Sequence, residues 1–359
     1  MSIDTDATAY ENWLHDHCSV VDEDLRYKHA RMTKSPFLFL RATFFRWARQ
    51  IESIGSDLRG APAVLAIGDT HLENFGTWRD AQGRAIWGVN DFDEADRMPY
   101  AFDLVRLATS ARLSPTSTLG HKKAARAILA GYQTGLLDPR PTLLDEQETW
   151  MRPLVAVSDA ERREFWDEVD RTPTTEAPND VATRLIRHLP DDAAIERFAT
   201  WAKGAGSLGR PRYLAIARWR GGRIVREAKA LVPSAWGWTH GTNSHSAAVL
   251  TLAQGGTRSP DPFFDVDGPW IFRRIAADSR KIDARRMDER DQRKLLHAMG
   301  HDIGAIHAMT EGAAGAIASH LETLPSSWLH RIAKDAAAVV KRDYADWATQ
   351  YTQRQRNGG

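Results

Sequence analysis

Residues 61–76 read APAVLAIGDTHLENFG, and residues 85–95 read AIWGVNDFDEA. Each opens with a short β-type apolar run and ends in a burst of polar side chains. Asp69, His71, Glu73 and Asn74 follow the first run; Asn90, Asp91, Asp93 and Glu94 follow the second. The polar stretch WRDAQGR (78–84), containing Gly83, separates them as a hairpin-like connection would. Asp and Asn are common turn formers, so any one of these residues is ordinary between strands. The whole set, flanked by Gly68 and Gly76, reads as a site. A carboxylate and an amide oxygen together suit a hard cation such as Mg²⁺, which takes oxygen ligands and keeps some water. That requires the intervening loop to bring Asn74 back towards Asp91. Asp69, a second nearby carboxylate, can then take a proton from an attacking hydroxyl. His71 serves equally well as a structural hydrogen-bonding residue. A zinc site fails on spacing, because no second histidine stands four residues on.

Working outward, the first 60 residues read as helical. SPFLFLRATFFRWARQIESIGS (35–56) predicts one buried amphipathic helix, with Ser35 as N-cap, Pro36 at the first position and Phe37, Leu40, Phe44, Phe45 and Ile51 on the core face. Arg41 reads as a stem packed on that core with its charge at the rim. Beyond residue 95, MPYAFDLVRLATSARL and GHKKAARAILAGYQTGLL read as helices. Residues 138–195 are polar and acidic, with helical pieces such as DAERREFWDEVDR, and form a peripheral region or connector. After Asp288 the chain returns to helices.

A second constellation lies at 204–230. GAGSLG (204–209) precedes two β-type runs, Tyr213–Trp219 and Arg223–Ala230, joined at the turn signal Gly221-Gly222. PWIFRRI (269–275) is a further strand. A Gly-rich turn lets backbone N–H groups approach phosphates, and Ser207 adds a hydroxyl. Lys229, on the strand that follows, is placed to reach phosphates as the strand lysine of protein kinases does. G-x-G-x-x-G alone is weak, but no long amphipathic helix follows it here, which disfavours a dinucleotide site. Gly204, Gly206, Ser207, Gly209 and Lys229 are therefore the nucleotide-binding candidates.

GDTHLENFG resembles the catalytic loop of aminoglycoside phosphotransferase-type kinases, His-Gly-Asp-x-His-x-x-Asn, with Ile67 in place of the leading histidine. VNDFDEA is similar to their metal-binding strand end, and FDLVRLA (102–108) to their Asp-Leu-Ala segment. The resemblance covers about 45 residues and implies Asp69 as catalytic base, assisted by His71. It also implies Asn74 and Asp91 as Mg²⁺ ligands with Asp93 as an extra one, and Asp103 as a structural aspartate. The motif order is permuted, since the Gly-rich hairpin and lysine follow the catalytic-type loop. The helix RKLLHAMGHDIGAIHAM resembles the one that directly precedes that loop in kinases, yet it lies near the C-terminus. A circular permutation reconciles these orders. Conventional kinases pair the strand lysine with a helix glutamate. The candidate helix, TNSHSAAVLTLAQ (242–254), has no acidic residue, so Glu227, two residues before Lys229 on the same strand face, is the local substitute. The chain also resembles the bacterial domain of unknown function 2252 family through SPFLFLR, GDTHLENFG, NDFDEA, FDLVRLATS, GAGSLGRPRY, EAKA and IFRRI, a resemblance that carries no assigned activity.

Composition sets the frame. The 359 residues are 42% hydrophobic and 26% charged, ordinary globular values that rule out wholesale disorder. Net charge is +1, which argues against broad nucleic-acid binding. The lone Cys18 excludes an internal disulfide framework. No apolar run reaches the roughly 18 residues of a membrane span, and the start lacks a signal-peptide layout, so a soluble cytoplasmic protein is expected. The expected fold is α+β: a two-lobed, circularly permuted protein-kinase-like fold. Residues 1–195 and 276–359 make the mostly helical large lobe, and 196–275 make the small antiparallel β lobe. The expected activity is ATP/Mg²⁺-dependent phosphoryl transfer to a small-molecule or protein acceptor that the sequence does not identify. A nucleotide-binding pseudokinase or scaffold, AMP transfer from the same site, and a metal-dependent hydrolase built on Asp69, His71, Asp91 and Asp93 are the alternatives. The sequence gives no oligomeric state. Trp236 and Trp238 read as packing residues, and His240 and His245 as structural or solvated residues rather than ligands.

Overall fold

In the computed structural model, which describes residues 1–242 and 246–357, Ser35 and Pro36 start a helix as expected, with Ser35 Oγ accepting from Leu38 N at 3.2 Å. His245 lies outside the described residues. The segment 35–56 is not one helix. It divides into α3 (Pro36–Ala42) and α4 (Phe44–Ile54) at Thr43, whose backbone leaves the helical region (φ −126°, ψ 46°) and whose hydroxyl donates to Phe39 O at 2.7 Å. A threonine that bonds back to the preceding turn offers the backbone an alternative to helix. The apolar positions Phe37, Leu40, Phe44, Phe45 and Ile51 are all buried. Ahead of them lie α1 (Ile3–His15) and α2 (Asp22–Met32).

The β-type runs pair differently from the hairpin expected between them. β1 (Ala63–Ala66) pairs antiparallel with β4 (Asp96–Pro99). The hairpin joins β2 (Phe75–Arg79) to β3 (Ala85–Val89), and β3 also takes the short β5 (Thr142–Leu143). The polar connection is the right one: Asp80 accepts Gln82 N and Arg84 N, each at 2.9 Å, and closes the turn. Its first strand went unread because Gly76 and Thr77 interrupt the apolar alternation between Phe75 and Trp78.

The largest sheet has five antiparallel strands in the order β6-β7-β8-β10-β9. They are β6 (Ala194–Thr200), β7 (Arg212–Trp219), β8 (Gly222–Ala230), β9 (Asp265–Asp267) and β10 (Trp270–Ile275). The Gly-rich segment is the connection from β6 to β7. The β7–β8 turn is Arg220-Gly221, not Gly221-Gly222. Both turn residues have positive φ (47° and 82°), as a two-residue hairpin matched to strand twist requires, and Gly222 already pairs with Trp219. Alternate residues of β7 point to opposite faces. Ala215 and Ala217 meet Val181 and Leu185 of the helix Asn179–Arg187, while Leu214 and Ile216 meet Val169 of the helix Asp159–Asp170. The polar region 138–195 thus supplies a cover for each face of the sheet.

Helices α5 (Tyr100–Leu113) and α6 (His121–Leu137) pack with the C-terminal helices Glu289–His307 and Trp328–Asn357 in the main core. α6 and Glu289–His307 cross at glycines. A Cβ on Gly131 would lie 1.9 Å from His297 O, and one on Gly300 would lie 2.1 Å from Ile128 O. That crossing delivers the end of Glu289–His307 to β1, where Thr310 Oγ1 accepts Leu65 N at 3.0 Å. The fold is mixed α+β with antiparallel sheets, and among the described residues no helix is long and apolar enough to cross a membrane.

Candidate functional site

The loop 67–76 is pinned from below by α5. Asp103 accepts Ile67 N at 2.8 Å and Gly68 N at 2.9 Å, and His307 Nε2 meets the same carboxylate at 3.0 Å. Both anchors on the loop are backbone amides, so the side chain at 67 is free to be apolar, and Ile67 is fully buried. Gly68 (φ +85°) lies so close to the strand end that a Cβ would come 2.3 Å from Glu94 O.

One turn after Asp103 on α5, Arg106 is also fully buried, stacked on Phe44 and Trp47 with centroid distances of 4.9 and 5.1 Å. It grips Asp69 Oδ1 through Nε (2.8 Å) and Nη2. Burial raises the Asp69 pKa and Arg106 pulls against it. His71 Nδ1 accepts Glu73 N at 3.1 Å, which leaves the proton on Nε2, 3.9 Å from Asp69 Oδ2. Burial and then Arg41 hold His71 well below its ordinary pKa, so the imidazole is neutral.

The β2–β3 register brings the two polar bursts together, with Asn90 N donating to Asn74 O at 3.2 Å. Asn74 Nδ2 donates to Asp69 O (3.0 Å) and Asp91 O (3.1 Å), which fixes the amide orientation. Its Oδ1 is buried and has no hydrogen-bond partner. Asp91 lies beside it, with a side chain 42% exposed. An orphaned amide oxygen next to an open carboxylate is a donor set that fits Mg²⁺, which binds through one or two protein oxygens plus substrate phosphates. Asp93 is placed differently, with one oxygen on Lys229 Nζ and the other 3.5 Å from Arg210. Among the described residues no three His, Cys, Asp or Glu side chains gather as a metal centre.

Lys229 Nζ reaches Asp91 Oδ1 at 3.2 Å and also bonds Asp93. Burial pushes both carboxyls up, but Lys229 holds Asp91 well below the usual carboxylate range, while the charge of Asp91 adds to the rise of Asp93. Glu227 does not act as the local partner of Lys229. It is taken by Arg212 (3.0 Å) and Arg273 (2.5 Å) from the two neighbouring strands, and despite burial Arg273 and Arg212 hold it at about 2. The carboxylates facing Lys229 come from the strand end at 91–93, not from a helix.

The Gly-rich connection folds down onto this group. A Cβ on Gly206 would lie 3.2 Å from Arg41 O and 3.4 Å from Asp69 Oδ2. Gly204 and Gly209 take φ of +91° and +96°. Ser207 Oγ accepts from Arg212. Helix α2 and its leading residue hold the loop's carbonyls: Lys28 bonds Gly206 O at 2.9 Å, Arg31 bonds Gly204 O at 3.2 Å and Val21 N bonds Gly209 O at 2.9 Å. Arg210 ties the end of the loop to Glu94 (2.8 Å) and Tyr10 (3.1 Å).

A cavity of about 510 Å³ opens among Asp69, His71, Asn74, Asp91, Gly204, Gly206 and Ser207, with Trp201, Phe165 and Phe264 on its apolar side. Residues more than a hundred positions apart in sequence thus share one cleft. Arg41 is not a rim residue. It is 7% exposed, lines the cavity and pairs with Glu73 at 2.7 Å. Arg106, Arg210 and Lys28 were not singled out either. Only Arg106 had a signal, its i+3 spacing from Asp103. Trp236 stacks on His240 at 4.0 Å and Trp238 lies under Arg49, so both are packing residues.

No curated protein and no solved structure matches the chain. Residues 20–150 match the family model described as an uncharacterized protein conserved in bacteria, the domain of unknown function 2252. That span holds the loop 67–76 and the strand end 90–95 but not the Gly-rich loop or Lys229, so for 151–357 the geometry alone speaks. By this match, the stretch bearing Asp69, Asn74 and Asp91 is similar to a bacterial family without an assigned activity.

Proposed function

We propose that the chain is an ATP/Mg²⁺-dependent phosphotransferase with a circularly permuted, two-lobed kinase-like fold. The observation that carries this reading is convergence. A Gly-rich connection between the first two strands of the five-stranded sheet and the Asp69/Asn74/Asp91 group line one cleft, and Lys229 on the third strand, itself buried, reaches the cleft's Asp91 at 3.2 Å. Kinases use a Gly-rich loop, a third-strand lysine, a catalytic aspartate and an Asn/Asp metal pair for this chemistry. Asp103 holding the loop amides, and the end of the helix Glu289–His307 meeting β1 through Thr310, support the permuted order.

In this reading Asn74 Oδ1 and Asp91 hold Mg²⁺, which supplies charge neutralisation at the phosphates. Lys229 leaves Asp93 and Asp91 to orient the nucleotide phosphates, and the N–H groups of the loop 204–209 cradle them. Arg106 fixes one oxygen of Asp69 so that the other faces the acceptor hydroxyl. Asp69 takes that proton as the acceptor oxygen bonds to phosphorus and ADP departs. Positioning and electrostatics do most of this work. Trp201 and Phe264 offer apolar surface to the base.

Two observations favour a second reading, a nucleotide-binding protein without turnover. Among the described residues Lys229 has no helix glutamate to hold it, and Gly206 packs on Asp69. Loss of the ATP γ-phosphate in a clean preparation separates the two. We expect Mg²⁺-dependent turnover by the natural chain, abolished in Asp91→Ala with the fold intact by circular dichroism. Equal turnover by that variant contradicts the metal assignment, and binding without turnover by the natural chain favours the second reading.

A further inference from the structure

The cleft is also lined by two cations, Arg41 and Lys281, that the phosphotransfer scheme does not use. Arg41, at the end of α3, has a side chain 8% exposed. Its Nη1 meets Glu73 Oε2 at 2.7 Å, and its buried Nε has no hydrogen-bond partner. Lys281 follows a fixed backbone, because Thr77 N donates to Arg280 O at 2.9 Å and Arg280 N donates to Thr77 Oγ1 at 2.8 Å. Both residues line the cavity, and among the described residues the Lys281 ammonium has no hydrogen bond or ion pair. The residue still reaches solvent, but neighbouring atoms and then Arg41 push its pKa down to about 8. His71, held neutral by burial and by these cations, adds no charge of its own.

A buried guanidinium with an unmet donor is unfavourable until an anion completes it, and the Lys281 ammonium, which reaches solvent, is open to the same anion. Among the described residues Glu73 is the carboxylate that pairs with Arg41. Its side chain is 44% exposed, so it can swing to solvent. A carboxylate on a guanidinium has the same forked hydrogen-bonding geometry as a phosphate. We propose that Arg41 and Lys281 form an anion subsite for a phosphate-class group, with Glu73 as its displaceable stand-in. The inference rests on the phosphotransferase reading and extends it. The anion is either the terminal phosphate of the nucleotide or a phosphate borne by the acceptor.

Calorimetric titrations of the full chain with ADP, ATP and inorganic phosphate, all with Mg²⁺, test this in the natural protein and in Arg41→Gln, Lys281→Gln and Glu73→Gln. Loss of one charge-assisted contact weakens anion binding about tenfold. Arg41→Gln and Lys281→Gln should each weaken it, and Glu73→Gln should tighten it, an opposite sign that misfolding cannot produce. If the change falls on ATP and spares ADP, the anion is the terminal phosphate. If it falls on inorganic phosphate at saturating ADP and spares ATP, the anion belongs to the acceptor. Natural-type affinity for ATP and phosphate in all three variants overturns the subsite. If the natural chain binds no nucleotide, the phosphotransferase reading fails. Phosphate binding with the same order of variants then still upholds the subsite, and no phosphate binding overturns it.

Discussion

At the scale of single residues, the site is a set of carboxylates each met by a cation from elsewhere in the chain. Asp69 is met by Arg106, Asp91 and Asp93 by Lys229, Glu94 by Arg210, and Glu227 by Arg212 and Arg273. Breaking such a buried pair from one side costs about 3–5 kcal/mol, because a charge is left without its partner. Arg106→Met should therefore lower stability by that order in denaturant unfolding, and adding Asp69→Asn should recover part of the loss. Additive losses in the double variant would contradict the pairing. Asp69, Asn74 and Asp91 were legible in the sequence because they sit in two short polar bursts framed by glycines. Arg41 and Lys281 were not, because what faces them is set by contacts between segments over two hundred residues apart.

At the scale of elements, two close approaches carry the arrangement. One is the crossing of α6 with Glu289–His307. Gly131→Ala would drive a methyl into His297 O, where the ideal Cβ lies at 1.9 Å. Forcing an extra carbon into a packed interface typically costs about 1–3 kcal/mol, and thermal unfolding should record a loss of this size. An unchanged midpoint would mean that the helices do not cross there. The other is the tether from α2 to the Gly-rich loop. Lys28 is 2% exposed, and burial lowers its pKa from 10.5 to about 8, with Glu11, Glu94 and Asp69 pulling the other way. A lysine whose pKa is depressed by folding contributes stability that is present above its unfolded value and lost as pH falls through its folded value. The stability of the natural chain relative to Lys28→Met should therefore rise from about pH 8 to pH 10.5, measured by paired melts. A flat difference across that window would contradict the burial of a lysine under the loop. The sequence revealed helices, β-type runs and the Gly-rich turn through period and glycine signals. It did not reveal β2, whose alternation is broken by Gly76 and Thr77, or the break at Thr43, which one hydroxyl makes.

At the scale of the whole molecule, the α+β class followed from the alternation of helical and β-type textures along the chain. The way the sheet is covered did not, because Phe165, Trp166 and Val169 are scattered among acidic residues in a stretch that reads as solvated. Strand pairing was the weakest inference, since β1 finds its partner in a four-residue strand, Asp96–Pro99, just beyond the second polar burst. The near-zero net charge conceals local opposition: acidic residues gather at 69–96, and the cleft they line is also lined by Arg41 and by arginines and lysines at 203–281. The central claim is that this cleft takes a nucleotide with its metal, and a crystal structure of the chain soaked with a non-hydrolysable ATP analogue and Mg²⁺ tests it most directly. The account predicts phosphates between the loop 204–209 and Lys229, with the metal on Asn74 Oδ1 and Asp91. A nucleotide bound outside the cleft, or a cleft still closed by Lys229 on Asp91 and Asp93 at saturating analogue, would contradict it.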